Sequence, residues 1–461
     1  MHGRIRAAVA AVGALGLLAA VPAAASAQGG AGEPEPYEMD SSAKAVKGAS
    51  SSADGPRLAA GQAYKDALKP GDKKYYTVKL GSKTTGHVSA FIGPKPGIKT
   101  DPDDSFDITL SSTGGDECDA AEFTVSAENG YVLGGAVQRK LEEYGECNAA
   151  GVYNVLVTRD SAGTSDPAAW PLELKFMEEP ALKGKSPSEG PDYSEFDEED
   201  APTPPSGTAK KIDGGLGFGD ATGMSAGVWQ DEIVPGETRF YRMPVDWGQQ
   251  PFVTAEFGGS GGGDTVEEVS DGAGVRIYGP QRGLVWKSWD SYSGAEPAAA
   301  TAVAPPVRYE NRYDDISELY HASAAGWYYV AVTVDAAVGE NVKKPVTVTL
   351  RNTIKGEPKS APAYNGDLAK AGFGVTDADR EAAEKGQSEA AAEASDSKMT
   401  VAYVGIGAGV VLLAALGAWM LLARRRGPVP AQVQPQPYPQ AQPQPHTQPQ
   451  DQTFGPPQSW Q

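Results

Sequence analysis

Between residues 64 and 80 the chain reads YKDALKPGDKKYYTVKL. The tail of this stretch, Tyr-Tyr-Thr-Val-Lys-Leu, alternates with a period of two, the pattern of a half-buried strand. Pro70-Gly71 supplies turn chemistry, because proline presets one backbone angle and glycine accepts the positive one. The pattern returns in WQDEIVPGETRFYRMPV, residues 229–245, where Pro235 stands 165 positions after Pro70. Asp66 then matches Asp231, Gly71 matches Gly236, Tyr76 matches Tyr241, and Val88 of GHVSA falls on Val253 of PFVTA. AGVYNVLVTRD (150–160) reappears as AGWYYVAVTVD (325–335), and WPLELKF (170–176) as KPVTVTL (344–350). Markers in one order, with loop-sized changes in offset, describe a tandem repeat. AGVYNVLVTRD alternates most regularly, with Val152, Asn154 and Leu156 on one face and Tyr153, Val155 and Val157 on the other. Short strands, Gly/Pro/Asp loops and little helical periodicity predict a mainly β chain of two tandem antiparallel β-sandwiches. A unit of about 115 residues is large enough to bury its own core.

Two apolar runs flank the repeats. The first, MHGRIRAAVAAVGALGLLAAVPAAASAQ, begins with Arg4 and Arg6 and ends in a small-residue site that places cleavage between Ala27 and Gln28, as in a secretory signal. An uncleaved anchor is the alternative. The second, TVAYVGIGAGVVLLAALGAWMLLA (400–423), has 24 residues without a charge, where about 20 cross a bilayer core. Arg424, Arg425 and Arg426 follow at once. Positive residues stay in the cytoplasm, so the expected topology is type I and single-pass, with the N-terminal bulk outside a plasma membrane and the C-terminus inside. A buried globular helix would not normally end in three arginines and a structureless tail. Gly405, Gly407 and Gly409 would admit a second helix at close range.

These signals divide the chain into a signal peptide (1–27), a disordered segment (28–55), module 1 (56–177), an acidic Pro-rich linker (178–212), module 2 (213–355), an Ala/Glu-rich stalk (356–399), the membrane helix (400–423) and a cytoplasmic Pro/Gln-rich tail (424–461). The linker's proline and acid content predicts an extended, mobile spacer. The stalk has helix formers but no apolar stripe, so it should be partly helical at best. The tail is inclined to polyproline II and would dock an aromatic-lined groove or remain inert. The two cysteines, Cys118 and Cys147, both on the exported side, are expected to form a disulfide.

The order L-x-P-G-D-x-x-Y-Y-x-V-x-L, then DITL (107–110), then A-G-x-Y-x-V-x-V, resembles the bacterial pre-peptidase C-terminal domain. The likeness covers residues 64–176 and, more loosely, 229–350, where VRIY (275–278) replaces DITL. It implies jelly-roll-like sandwich modules of the kind appended to secreted bacterial proteins. It carries over no peptidase residues, because the module is an accessory.

A formal net charge of −20 argues against a nucleic-acid partner, since phosphate binding needs a basic surface. Only His87 and His321 of the four histidines lie in the modules, and no His-Glu-x-x-His run supplies a zinc site. GMSAG (223–227) fits Gly-x-Ser-x-Gly, yet a nucleophile elbow needs a strand before the serine and a helix after it. Around Ser225 a glycine-rich loop precedes and a strand follows, so no catalytic residue is assigned and the chain reads as a non-enzyme. DPDDSFD offers Asp101, Asp103 and Asp104 as a weak calcium candidate, against solvated turn residues; otherwise no cofactor is expected. VWKSWDSY offers Trp286, Trp289 and Tyr292 as a stacking surface for a sugar or a protein, against plain core packing. The function expected is a membrane-anchored surface protein whose sandwiches bind an envelope protein, as adaptor or assembly component. The alternative is a carbohydrate or cell-wall glycan binder acting through the aromatic loop. Oligomeric state is not written in these residues.

Overall fold

The computed structural model describes residues 32–388, apart from 97, 99, 102, 126–131, 143–144, 186–189, 192–200, 261–266 and 315, and beyond them 391, 416 and 418–421. Both Pro-Gly pairs make the turn their chemistry dictates. Asp72 N donates to Lys69 O at 3.0 Å with Gly71 at φ +77°, and Glu237 N donates to Val234 O at 3.0 Å with Gly236 at φ +100°. A positive angle at the third position alone is the type II turn.

Module 1 contains β1 (Lys44–Ala45), β2 (Ala63–Leu68), β3 (Lys73–Leu80), β4 (Thr85–Ile92), β5 (Ser105–Ser112), β6 (Glu117–Thr124), β7 (Leu133–Arg139), β8 (Gly151–Asp160) and β9 (Trp170–Glu179). Module 2 contains β10 (Lys210–Lys211), β11 (Thr222–Gly223), β12 (Gly227–Ile233), β13 (Thr238–Val245), β14 (Gln250–Phe257), β15 (Ala273–Tyr278), β16 (Leu284–Asp290), β17 (Ala298–Val303), β18 (Gly326–Val334) and β19 (Val346–Lys355). The sheets run β1-β2-β9-β4-β7 and β3-β8-β5-β6 in the first, β10-β12-β19-β14-β17 and β11-β13-β18-β15-β16 in the second. Setting aside the two-residue strands, each module pairs its eight strands as 1-8-3-6 over 2-7-4-5. That order is a jelly roll, repeated.

Alternation places the core. Tyr153, Val155 and Val157 of β8 are buried against Ile108 and Leu110 of β5, while Val152, Asn154 and Leu156 are half-buried. Across the sandwich lie Val88, Ala90, Leu172 and Leu174, the valine and each leucine worth about 1.5–3 kcal/mol on burial. The coincident Asp and Tyr of the repeat are a hydrogen-bonded pair in both copies, half-buried at Asp66 and buried at Asp231. Tyr76 Oη donates to Asp66 Oδ2 at 2.8 Å, and Gly48 N donates to the same oxygen. Tyr241 Oη donates to Asp231 Oδ2 at 2.6 Å, joined by Gly214 N. The motif therefore ties each module's leading segment to its first two long strands.

Cys118 and Cys147 are bonded, with Cα atoms 5.7 Å apart and 29 positions of separation. The bridge fastens edge strand β6 to the turn before β8. Replacing both by serine is expected to lower stability by about 3 kcal/mol through loop-closure entropy, read as a lower denaturant midpoint.

Three expectations about the connecting segments are corrected. Residues 32–55, read as disordered, run along both modules: Tyr37 stacks edge-on against Phe240 at 5.8 Å and donates to Glu173, and Glu35 pairs with Arg239 at 3.2 Å. Low apolar content did not prevent order, because one aromatic anchor and backbone hydrogen bonds, such as Glu38 N to Leu216 O, hold the segment. It lies so close to the glycine-rich stretch before β11 that a side chain at Gly219 would come within 2.8 Å of Asp40 Cα. The described start of the linker is not free either. Strand β9 runs to Glu179, and residues 181–183 exchange backbone hydrogen bonds with 363–365. Residues 356–388 of the stalk fold back on the modules, with Phe373 buried against His87. There a helix (Asp377–Lys385) starts in a Thr376/Asp379 capping box, and Trp327 Nε1 donates to Asp379 at 2.9 Å.

Among the described residues no helix is long and apolar enough to cross a membrane. The expected span, 400–423, lies outside them except at 416 and 418–421, as do the cleavage site at Ala27 and Gln28, the arginines 424–426 and the tail.

Candidate functional site

The aromatic candidates do not make one surface. Trp286 and Trp289 lie on strand β16, where an odd spacing sends side chains to opposite faces. Trp286, paired with Ile277, packs against the module 2 core, and Tyr292 is buried there with Oη donating to Gly258 O at 2.6 Å. Trp289 turns the other way, opposite Gly274 and 5.4 Å from the Arg276 guanidinium. Nor do the aspartates converge on an ion. Asp104 Oδ1 accepts from Ala162 N and Ser165 Oγ and its Oδ2 from Asp101 N, while Asp101 accepts from Thr164 Oγ1 and Asp103 N. They shape the loop before β5. Among the described residues no group of three or more His, Cys, Asp or Glu could hold a metal. Ser225 is followed by β12, and its carbonyl accepts from Trp229 Nε1 and Asn352 Nδ2.

The feature that organises the molecule, a buried seam between the modules, has no counterpart among the residue patterns read above. Residues of β4 and β9 that point away from the module 1 core face module 2. Phe91 meets Phe218 and Tyr278 at 4.6 and 5.8 Å, and Phe218 also meets Phe240 and Tyr329. Glu173 binds Arg282, both buried. Glu179 accepts from Arg312 Nη1 and Nη2 at 2.7 and 3.1 Å and from Tyr364 Oη. Arg312 also donates to the carbonyls of Tyr309 and Ser323 and lies 3.5 Å from the Tyr309 ring centre. Burial alone would lift the Glu179 carboxyl, but the Arg312 charge and the groups bonded to it hold it down at about 2. His87 Nε2 stands 3.5 Å from Glu179, an electrostatic contact rather than a well-formed hydrogen bond. Burial keeps His87 below its ordinary range, and burial followed by the nearby His87 takes His321 to about 3.

Beside the seam opens a cleft. Its floor is the edge of module 1 where its two sheets meet, formed by β6 and β7. Module 2 supplies the opposite wall. One chamber, about 200 Å³, is lined by Asp119, Gln138 and Lys140 with Asp314 and Tyr320. The other, about 320 Å³, shares Tyr320 and adds Phe123, Leu284, Lys287 and His321. Asp119 accepts from Gln138 N at 2.7 Å and Ala120 N at 3.0 Å. Burial nevertheless lifts its carboxyl to about 6, against those bonds and the Lys140 charge. Gln138 is 3 % exposed, and its Oε1 has no hydrogen-bond partner. A buried acceptor left open is costly, so this atom marks where a donor fits.

No family profile matches the chain, and no curated protein does. Solved structures align weakly. The CUB1-EGF-CUB2 region of human MASP-1/3 has 6 % identity and a TM-score of 0.16, covering 63 % of this chain and 99 % of that one. The CBM22-1-CBM22-2 tandem of Xyn10C from Paenibacillus barcinonensis has 10 % identity and a TM-score of 0.16, covering 63 % and 92 %. The ANX1 ectodomain from Arabidopsis thaliana has 9 % identity and a TM-score of 0.16, covering 64 % and 87 %. Likeness this low carries no function.

Proposed function

We propose that the chain is a non-enzymatic, membrane-anchored bacterial surface protein whose two jelly rolls act as one body and bind an envelope protein in the cleft at their seam. The observation that carries this reading is the pair of buried ion pairs, Glu173–Arg282 and Glu179–Arg312. They hold in register two modules that a mobile linker would leave independent, and so give the cleft two fixed walls. The sequence supports the anchor through residues 400–423, whose described helical positions Trp419, Met420 and Leu421 expose large apolar side chains. Trp286 packs partly buried against the core and Tyr292 lies within it, so the three aromatic side chains give the glycan alternative no shared platform.

A photocrosslinking residue placed at Glu122, on the cleft rim, is expected to capture a protein in intact cells. The same residue at exposed Glu384, on the terminal helix, is not. An adduct digested by glycosidase and not by protease, or equal capture from both positions, overturns the reading.

A further inference from the structure

We propose that the cleft holds its partner as an extended peptide, with a lysine or arginine side chain seated among Asp119, Gln138 and Asp314. The inference rests on the protein-binding reading above and adds the chemistry of what is bound.

Three independent features point to it. First, among the described residues β6 is hydrogen-bonded in its sheet only to β5; β7, which flanks its other edge, belongs to the other sheet, so that edge has no strand paired to it. Six consecutive residues of this edge, 118–123, line the two chambers. At about 3.3 Å per residue that is a track of roughly 17 Å, suited to strand addition by an extended chain. Second, the smaller chamber offers acceptors to a donor. Asp119 and Asp314 bring two carboxylates, and the buried Gln138 Oε1 has no partner of its own. Lys140 also lines this chamber, but its Nζ is 3.3 Å from Glu142, and Glu117 adds further negative charge beside Asp119. The balance of the chamber is therefore negative, as is the whole chain at −20. Third, the sizes fit. At about 200 Å³ the chamber is smaller than the ~300–1,000 Å³ that houses a whole small-molecule ligand and suits one long side chain. Four residues along β6, Phe123 with Leu284 and Tyr320 gives the second chamber an apolar lining for a further side chain.

The test uses the full chain in detergent and a dansylated peptide, Lys-Thr-Val-Thr-Val, with versions carrying glutamate or norleucine in place of lysine. The lysine peptide is expected to bind at least tenfold more tightly than either. Asp119→Asn should abolish the preference. Because Asp119 also holds the start of β6 to β7, Asp314→Asn provides a second variant that keeps its local hydrogen bonds, and it should reduce the preference severalfold at an unchanged unfolding midpoint. Equal binding of the three peptides, or n-butylamine binding as tightly as the lysine peptide, overturns the proposal. A crosslink at Glu122 without lysine preference removes this inference and leaves protein binding standing. Lysine preference without any crosslink in cells does the opposite.

Discussion

Truncating Arg312 to alanine is expected to destabilise the two-module body by about 3–5 kcal/mol, the cost of leaving a buried charge without its partner. Arg312 has no exposed surface, and Glu179 is 1 % exposed. Without the guanidinium, Glu179 keeps the Tyr364 hydroxyl and the contact with His87, neither of which supplies a full opposite charge. The carbonyls of Tyr309 and Ser323 lose their donors at the same time. Denaturant unfolding followed by Trp fluorescence would show both the loss and its form. The native chain should unfold in one transition, and Arg312→Ala should separate the modules into two. A double variant, Arg312→Met with Glu179→Leu, should recover part of the loss, because it removes the unpaired buried charge, while the Tyr309 and Ser323 carbonyls and the Tyr364 hydroxyl stay without partners. A loss below about 1 kcal/mol, in the range of an exposed pair, would mean that the ion pair does not hold the seam.

How much of this was legible in the chain follows from which forces are local. The type II turns needed only Pro and Gly, and the core face of β8 needed only its own alternation. The repeat even exposed the Asp66/Tyr76 and Asp231/Tyr241 pairs, though not that they bond. The seam is another matter. In WPLELKFMEE Glu173, Lys175 and Glu179 share one face, and a glutamate facing water reads the same as one facing another module. The guanidiniums that settle the question stand 109 and 133 positions away. Residues 32–55 misled for a related reason: composition measures whether a segment can build a core of its own, while this one borrows a surface from both modules. The aromatic stretch held a clue that spacing alone could have supplied. On a strand, residues 286 and 289 cannot share a face, so a common platform required a loop that strand β16 does not leave. The cleft could not be read at all, since Asp119 and Asp314 belong to different modules.

Acidification should unfold the body from the seam outward. His321, held at about 3, and His87, also lowered, are buried and neutral, whereas in the unfolded chain each titrates near 6.5. Both folded values lie below the unfolded ones, so the unfolded chain binds more protons, and this stability is whole above about pH 6.5 and lost as the pH falls. Glu179, at about 2 against an ordinary 4.5, acts in the same direction but only below pH 4.5. Asp119, raised to about 6 from 3.8, works the other way, because its folded form takes up a proton first. Near pH 5.5 His321 alone offsets the one aspartate, and His87, lowered in the same direction, tips the balance toward lower stability as the pH falls. The groups facing the imidazoles fix the sign. His87 meets Glu179, Arg312 and Phe373, and His321 meets Gln281 and the Tyr320 ring. Only Glu179 would welcome a proton on a ring, and Arg312 already occupies it. Denaturant midpoints between pH 7 and 5 should therefore fall steadily. His321→Gln should flatten the profile, and Asp119→Asn should steepen it. A midpoint that held constant or rose on the way to pH 5 would mean that the histidines are charged or solvated in the folded protein, which a closed seam does not allow.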